Sequence, residues 1–444
     1  MPEWVTHAIF WQVYPLGFVG ADIRSNTPPG AGRRLGRLID WLDYAVELGA
    51  SALLLGPMFA SSTHGYDTVD HFRLDSRLGD ESDFEALIAA ATKRGLRVVL
   101  DGVFNHVSRA FPAFQEVLAQ GRGASRASWF RLSSPQGSAD GREPEYATFE
   151  GHRNLVVLNH DEPAVADYVV GVMNHWLDRG ASGWRLDAAY AVPSKFWARV
   201  LPRVREAHPD AYIFGEVTHG DYRTYVNQSG LDAITQYELW KAIWSSLNDC
   251  NFFELAWALG RHNQFLEDFV PQTFLGNHDV TRLASLLADE RHIEHALAIL
   301  LACGGTPSIY SGDEQGFRGI KEHRVGGDDA IRPAFPPSPD RLKPFGWRIY
   351  RAHQDLIGFR RRHAWLHRAR SRIVHLANAR ITFETFHEPR RLMVALNLDG
   401  AGDQPSPGMR SIVAGRGTLI RPGEAGARIG LPGPGWAILA PEPG

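Results

Sequence analysis

The chain has 444 residues, 44% hydrophobic and 22% charged, a globular mixture able to bury a large core. That length exceeds the usual single domain, so one large domain plus a smaller one is expected. A formal net charge of -3 gives no basis for binding nucleic acid or an anionic membrane.

Strand-like segments rich in Val, Ile, Leu and Phe stand at 8–14, 52–56, 97–103, 183–187, 212–216, 232–236, 272–276 and 307–312. Helical patterns lie between them. Leu35, Leu38, Ile39, Leu42 and Val46 recur at helical spacing. Phe84, Leu87, Ile88 and Ala91 do so behind a capping box read at Ser82 and Glu85, and this stretch closes at Gly95. A third stripe runs from Val165 to Trp176 and is ended by Gly180. Eight βα alternations predict a closed parallel (β/α)8 barrel in the α/β class, with functional groups at the C-terminal ends of the strands. A doubly wound sheet would need a glycine-rich phosphate turn after the first strand, and that stretch has none. Residues 347–363 read as the eighth helix. Segments 379–386 and 391–398 then alternate as antiparallel strands.

Four predicted strands end in an acid: Asp101, Asp187, Glu216 and, one turn further on, Asp279. Asp187 to Glu216 spans 29 residues, about one βα unit, and Glu216 to Asp279 spans 63, about two. Asp101 to Asp187 spans 86. About 50 residues are therefore extra, and they fall after the third strand. The expected division is a first barrel part at 1–106, an inserted lobe at 107–160, a second barrel part at 161–365 and a C-terminal β-sandwich at 366–444.

The chemistry of these acids follows from their neighbours. Arg185 shares a strand face with Asp187 and would keep that carboxylate ionised, as a nucleophile requires. A Glu in an apolar strand such as 212–216 favours a retained proton, as an acid catalyst requires. An ionised and a protonated carboxyl facing one bond form the apparatus of glycoside hydrolysis. A metal-dependent hydrolase using Asp101, His106, His278 and Asp279 as ligands competes with this reading. It lacks a His pair at ligand spacing on one element, and it would place Arg185 beside the cation. A catalytically silent barrel kept for binding is a further alternative.

The motifs DGVFNH (101–106), GWRLDAA (183–189), FGEV (214–217) and FLGNHD (274–279) resemble the four signature regions of the α-amylase family, glycoside hydrolase family 13. Stretches 56–72, 156–163 and 304–314 agree with it in order. The chain is similar to maltogenic-amylase-like or α-glucosidase-like members. The resemblance implies the same barrel, a lobe after its third strand and a C-terminal sandwich. It also implies Asp187 as nucleophile, Glu216 as general acid and base, and Asp279 as the carboxylate that holds sugar hydroxyls. Arg185 would orient Asp187. His106 and His278 would bond the sugar at the cleavage point, and Tyr66 would form a platform beneath it with His64 nearby. Asp101 and Asn159 would be structural.

The implied substrate is an α-1,4-linked maltooligosaccharide or related soluble α-glucan, cleaved with retention. Transglycosylation or sucrose/maltose isomerisation through the same carboxylates is the alternative. Ala188 resembles members cutting α-1,4 bonds, where α-1,6-specific relatives often carry Val. No cofactor is required. Asn105 matches a residue that binds structural calcium in relatives, but Tyr190 and Ala191 replace the Lys-His pair whose His supplies a further ligand, so a calcium requirement is not expected. The first strand begins near the N-terminus with no leader-like segment ahead of it, and no apolar run approaches 18 residues. Cys250 and Cys303 read as reduced buried thiols. A cytoplasmic monomer with no nucleic-acid or membrane partner is therefore expected.

Overall fold

A computed structural model describes residues 1–24, 34–133, 144–423 and 426–441. Parts of the predicted regions, namely 25–33 in the barrel, 134–143 in the lobe, and 424–425 and 442–444 in the sandwich, lie outside these described residues.

All eight predicted barrel strands form. Numbered in chain order, they are β1 (Phe10–Val13), β2 (Ala52–Leu55), β3 (Arg97–Gly102), β4 (Gly183–Leu186), β5 (Tyr212–Gly215), β6 (Ala233–Ile234), β7 (Gln272–Phe274) and β8 (Thr306–Tyr310). Each pairs in parallel with its neighbour from β1 to β6, β8 pairs with both β7 and β1, and a single parallel bridge from Thr235 to Gln272 closes the ring. Parity behaves as read for β4. Arg185 points inward, while Trp184 is fully buried outside the sheet against the rings of Phe59 and Phe104. Gly183 is demanded by a close approach, since a Cβ there would meet the Tyr212 carbonyl oxygen at 2.0 Å.

The helices follow the apolar stripes with two corrections. The stripe from Leu35 to Val46 is not one helix but two, Gly36–Ile39 and Leu42–Leu48, and Val46 faces outward. The break lets fully buried Trp41 stack on Trp11 and meet the edges of Phe18 and Phe335, a packing gain of roughly 2 kcal/mol that outweighs a continuous helix. The helix Glu81–Lys93 is capped by Asp80 with Asp83, two residues before the box read from the sequence. Asp80 accepts from the amides of Ser82 and Asp83, and the Asp83 carboxylate in turn accepts from the Asp80 amide.

Between β3 and β4 stands a three-stranded antiparallel sheet in which His152–Val157 pairs with both His106–Ser108 and Thr148–Phe149, beside the helix Pro112–Gln120. After the helix Trp347–Arg362 the chain turns to antiparallel sheets, one of five strands and one of three. Ile429 and Leu431 of the smaller sheet pack on Met393, Ala395 and Leu439 of the larger, as a sandwich requires. This region is tied to the barrel by paired bonds between the Asn263 amide and the Ser371 backbone. Both cysteines are free thiols, but Cys250 is exposed rather than buried.

Candidate active site

The C-terminal ends of the barrel strands surround a cavity of about 470 Å³ whose lining includes His64, Tyr66, His106, Asp187, Glu216 and Asp279. Arg185, just beneath, links the acids. Its Nη1 lies 2.5 Å from Asp101 Oδ2 and 3.3 Å from Asp187 Oδ1, and its Nη2 lies 2.9 Å from Glu216 Oε1. One buried guanidinium from β4 therefore gathers carboxylates from β3, β4 and β5.

Arg185 touches Asp187, as the shared strand face implies, but does not serve it alone. The guanidinium is divided among three acids and sits tightest on Asp101. Burial, reinforced by the charge of Glu216, pushes the Asp187 carboxyl well above the ordinary range despite Arg185. Burial also raises Asp101, whose Oδ1 has no partner among the described residues. Asp101 and Asp187 are thus both pushed towards holding a proton, with a single guanidinium opposing burial at each.

Glu216 is held from both sides. Its Oε2 accepts from the Ala188 amide at 3.2 Å, and its Oε1 accepts from the Tyr237 hydroxyl at 3.1 Å. Ala188 donates that bond from a left-handed conformation (φ 44°, ψ 38°), which is costly for a non-glycine residue. The strain is sustained by the neighbouring contact with Glu216. The Asn277 side chain in turn donates to the Tyr237 hydroxyl at 2.9 Å.

On the opposite flank, Asp279 Oδ2 lies 2.9 Å from His278 Nε2, and Asp279 Oδ1 accepts from Arg332 at 2.6 Å. Burial alone would raise this carboxyl, but His278 and then Arg332 outweigh it and hold Asp279 well below the usual carboxylate range. The Gln12 amide lies 3.1 Å from His278 Nδ1, and Arg332 Nε donates to the His278 carbonyl at 2.8 Å. Tyr66 stacks parallel on His278 at 5.3 Å between ring centres, and its hydroxyl meets both His278 Nε2 and Asp101 Oδ2. Gly65, with φ at +94°, makes the turn that presents Tyr66.

His106 Nε2 bonds the Tyr66 carbonyl at 3.0 Å and its ring stacks on Phe149, while burial lowers its pKa to about 4. His64 is likewise lowered by burial, and its Nδ1 accepts from the Tyr66 amide. Among the described residues no group of three or more His, Cys, Asp or Glu is arranged to hold a metal. The Asn105 side chain faces His106 Nδ1 at 3.2 Å, Tyr190 reaches Glu150 with its hydroxyl, and Asn159 holds the Ser128 carbonyl.

Several lining residues escaped sequence reasoning. Arg332 and Asp328 come from the long connection after β8, Tyr237 from the start of the helix after β6, and Phe149, Glu150 and His152 from the inserted sheet. None stands in a periodic pattern. The one available signal was local: Arg332 precedes the proline-stiffened loop that begins at Pro333.

The fold and site together are those of a (β/α)8 barrel whose rim gathers three acids around one arginine, where such barrels carry their active sites. Residues 12–380 match the alpha amylase catalytic domain, and the chain belongs to that family. A cyclomaltodextrinase from Bacillus sp is 34% identical over 345 residues, covering 72% of this chain and 61% of that protein, so the chain spans less than two thirds of this curated relative. Solved structures match more evenly. The cyclic alpha-maltosyl-(1→6)-maltose hydrolase of Arthrobacter globiformis in its ligand-free form superposes with a TM-score of 0.82 at 27% identity, covering 99% of this chain and 100% of that one. A debranching enzyme from Nostoc punctiforme gives 0.80 at 26% identity, covering 99% of each. No helix among the described residues is long and apolar enough to cross a membrane.

Proposed function

We propose that the protein is a retaining glycosidase acting on α-1,4 bonds of maltooligosaccharides or related soluble α-glucans. The observation that carries this reading is the single Arg185 guanidinium holding Asp187 and Glu216, from adjacent strands, at the wall of one cavity that also contains Asp279. In the first step Glu216 gives its proton to the glycosidic oxygen as the bond from C1 to that oxygen breaks. Asp187 Oδ attacks C1 from the opposite face and forms a glycosyl ester. In the second step Glu216, now a carboxylate, takes a proton from water, whose oxygen displaces Asp187 and restores the original anomer. The mechanism requires the proton on Glu216 and the charge on Asp187 at the moment the glycosidic bond breaks. Asp279, kept anionic by His278 and Arg332, binds hydroxyls of the sugar as its ring flattens. Tyr66 supplies the stacking face, and His106, His278 and His64 border the same ring.

No calcium is required on this reading, because Tyr190 and Ala191 stand where relatives carry the Lys-His pair whose His supplies a further ligand. We place the protein in the cytoplasm as a monomer; two free thiols suit a reducing compartment.

Proton NMR of early products from maltoheptaose tests the mechanism. The α-anomer should appear first, and a β-anomer first would reject the double displacement. In the same time course, oligosaccharides longer than the substrate would assign the site to transfer instead of hydrolysis. A second reading, cleavage of α-1,6 bonds, is favoured by the names of the two full-length structural relatives. The products from panose, which carries both bonds, decide between the linkages: maltose with glucose marks α-1,6 cleavage, isomaltose with glucose α-1,4 cleavage.

A further inference from the structure

At the opposite end of the barrel, where the strands begin, lies a second cavity of about 160 Å³. It is walled by Thr6 and His7 before β1, by Arg360 and Arg361 at the end of the helix Trp347–Arg362, and by His367 in the turn that follows. Every titratable side chain in that wall is basic. Arg360 is 5% exposed, and among the described residues no carboxylate pairs with it. Its donors go instead to backbone carbonyls, of Leu301 at 3.1 Å, Cys303 at 2.7 Å and Gly305 at 2.5 Å. Those carbonyls satisfy hydrogen bonds and offer only the partial charge of a helix end, so a full positive charge stays buried without a counter-ion. Burial accordingly lowers the Arg360 guanidinium to about 10.

His367 is the second observation. It is 4% exposed; its Nε2 faces the Thr306 hydroxyl at 3.1 Å, while its Nδ1 is buried with no hydrogen-bond partner among the described residues. Arg360, Arg368 and His7 all act on it with the same sign, and together with burial they press its pKa down to about 3. An unpaired imidazole nitrogen and an uncompensated guanidinium on one small cavity need the same thing, an acceptor carrying negative charge.

We propose that this cavity binds a small tetrahedral oxyanion of the phosphate or sulfate type, accepting hydrogen bonds from the Arg360–Arg361 edge and from His367 Nδ1–H. With an anion accepting from Nδ1–H, the neutral ring takes the tautomer in which Nε2 accepts from the Thr306 hydroxyl. The site lies a barrel's length from the carboxylates, so its occupancy adds to stability without entering the reaction. Binding to the folded state alone raises the melting temperature with the logarithm of anion concentration.

The test is thermal unfolding of the full chain against inorganic phosphate and, separately, sulfate, with sodium chloride at matched ionic strength as the reference. We expect Tm to rise with the logarithm of phosphate or sulfate concentration, a rise that chloride does not reproduce. Arg361→Gln and His367→Gln should each weaken the apparent affinity by about tenfold or more, the loss of one charge-assisted bond, with hydrolysis unchanged. Isotope-labelled histidine adds a direct readout, since phosphate should shift the His367 Nδ1 resonance of the unsubstituted protein. Equal Tm responses to chloride and phosphate, or an undiminished phosphate response in both variants, would overturn the proposal. So would a His367 resonance indifferent to phosphate.

Discussion

On the β4–β5 flank of the catalytic cavity one guanidinium, Arg185, serves three carboxylates, whereas on the β7–β8 flank one carboxylate, Asp279, is met by both Arg332 and His278. The same residue type at the same rim, its side chain 9% exposed in Asp187 and 29% in Asp279, is pushed in opposite directions: Asp187 towards holding a proton, Asp279 towards losing it. Electrostatic cost is thus concentrated where a proton must be stored and moved, and is removed where a fixed anion has only to bind.

The largest effects should come from the costly flank. Asp187→Asn and Glu216→Gln are each expected to lower kcat by roughly 10⁴-fold or more, measured on maltotriose. Near-normal turnover in either variant would break the assignment of roles. Asp187→Asn should also melt higher than the parent, by about 2 °C, because it replaces an acid whose ionisation is disfavoured by folding. The sign follows from its raised folded-state pKa: ionisation favours the unfolded chain, so stability falls as pH rises from the unfolded value through the raised one.

Asp279→Asn should behave oppositely in stability while losing about 10²–10³-fold in kcat. Its folded pKa is depressed, so the carboxylate contributes stability above its unfolded value, and that contribution disappears as pH falls through the folded one. Calorimetry of the two Asn variants from pH 3 to pH 8 sharpens the comparison directly. If both lose stability, the flanks are not electrostatically different.

Smaller effects belong to the wall between the flanks. Tyr190→Phe removes the hydroxyl that bonds Glu150 across from the inserted sheet and should change KM for short maltooligosaccharides by about threefold, leaving kcat near the parent's. The smallest effect expected is that of a chelator: activity after EDTA treatment should remain within experimental error of the control. Complete loss restored by calcium would show that the donors around Asn105 rearrange to take the ion.

How far the sequence revealed these features depended on locality. Strand positions were legible because a barrel stave is a short apolar run, and both the acids and Arg185 sit on or just beyond such runs. The antiparallel lobe after β3 was visible only as an interval too long for one helix. Arg332 could not be found, because its pairing with Asp279 spans a connection with no repeating pattern. Tyr237 was hidden because its hydroxyl reaches Glu216 from a helix start rather than a strand end. The sharing of Arg185 was hidden for a related reason. A residue two positions away was credited with an interaction that Asp101, 84 residues earlier than Arg185, takes first.

The ring of staves is joined between β6 and β7 by a single bridge, Thr235 to Gln272, whereas β1 and β2 share four aligned pairs. A hoop with one thin joint opens there first. Amide deuterium uptake should therefore begin at residues 233–236 and 272–274 before any other stave, and Tyr237, one residue past the joint, carries that looseness directly to the Glu216 carboxylate that must release and recapture a proton in every turnover.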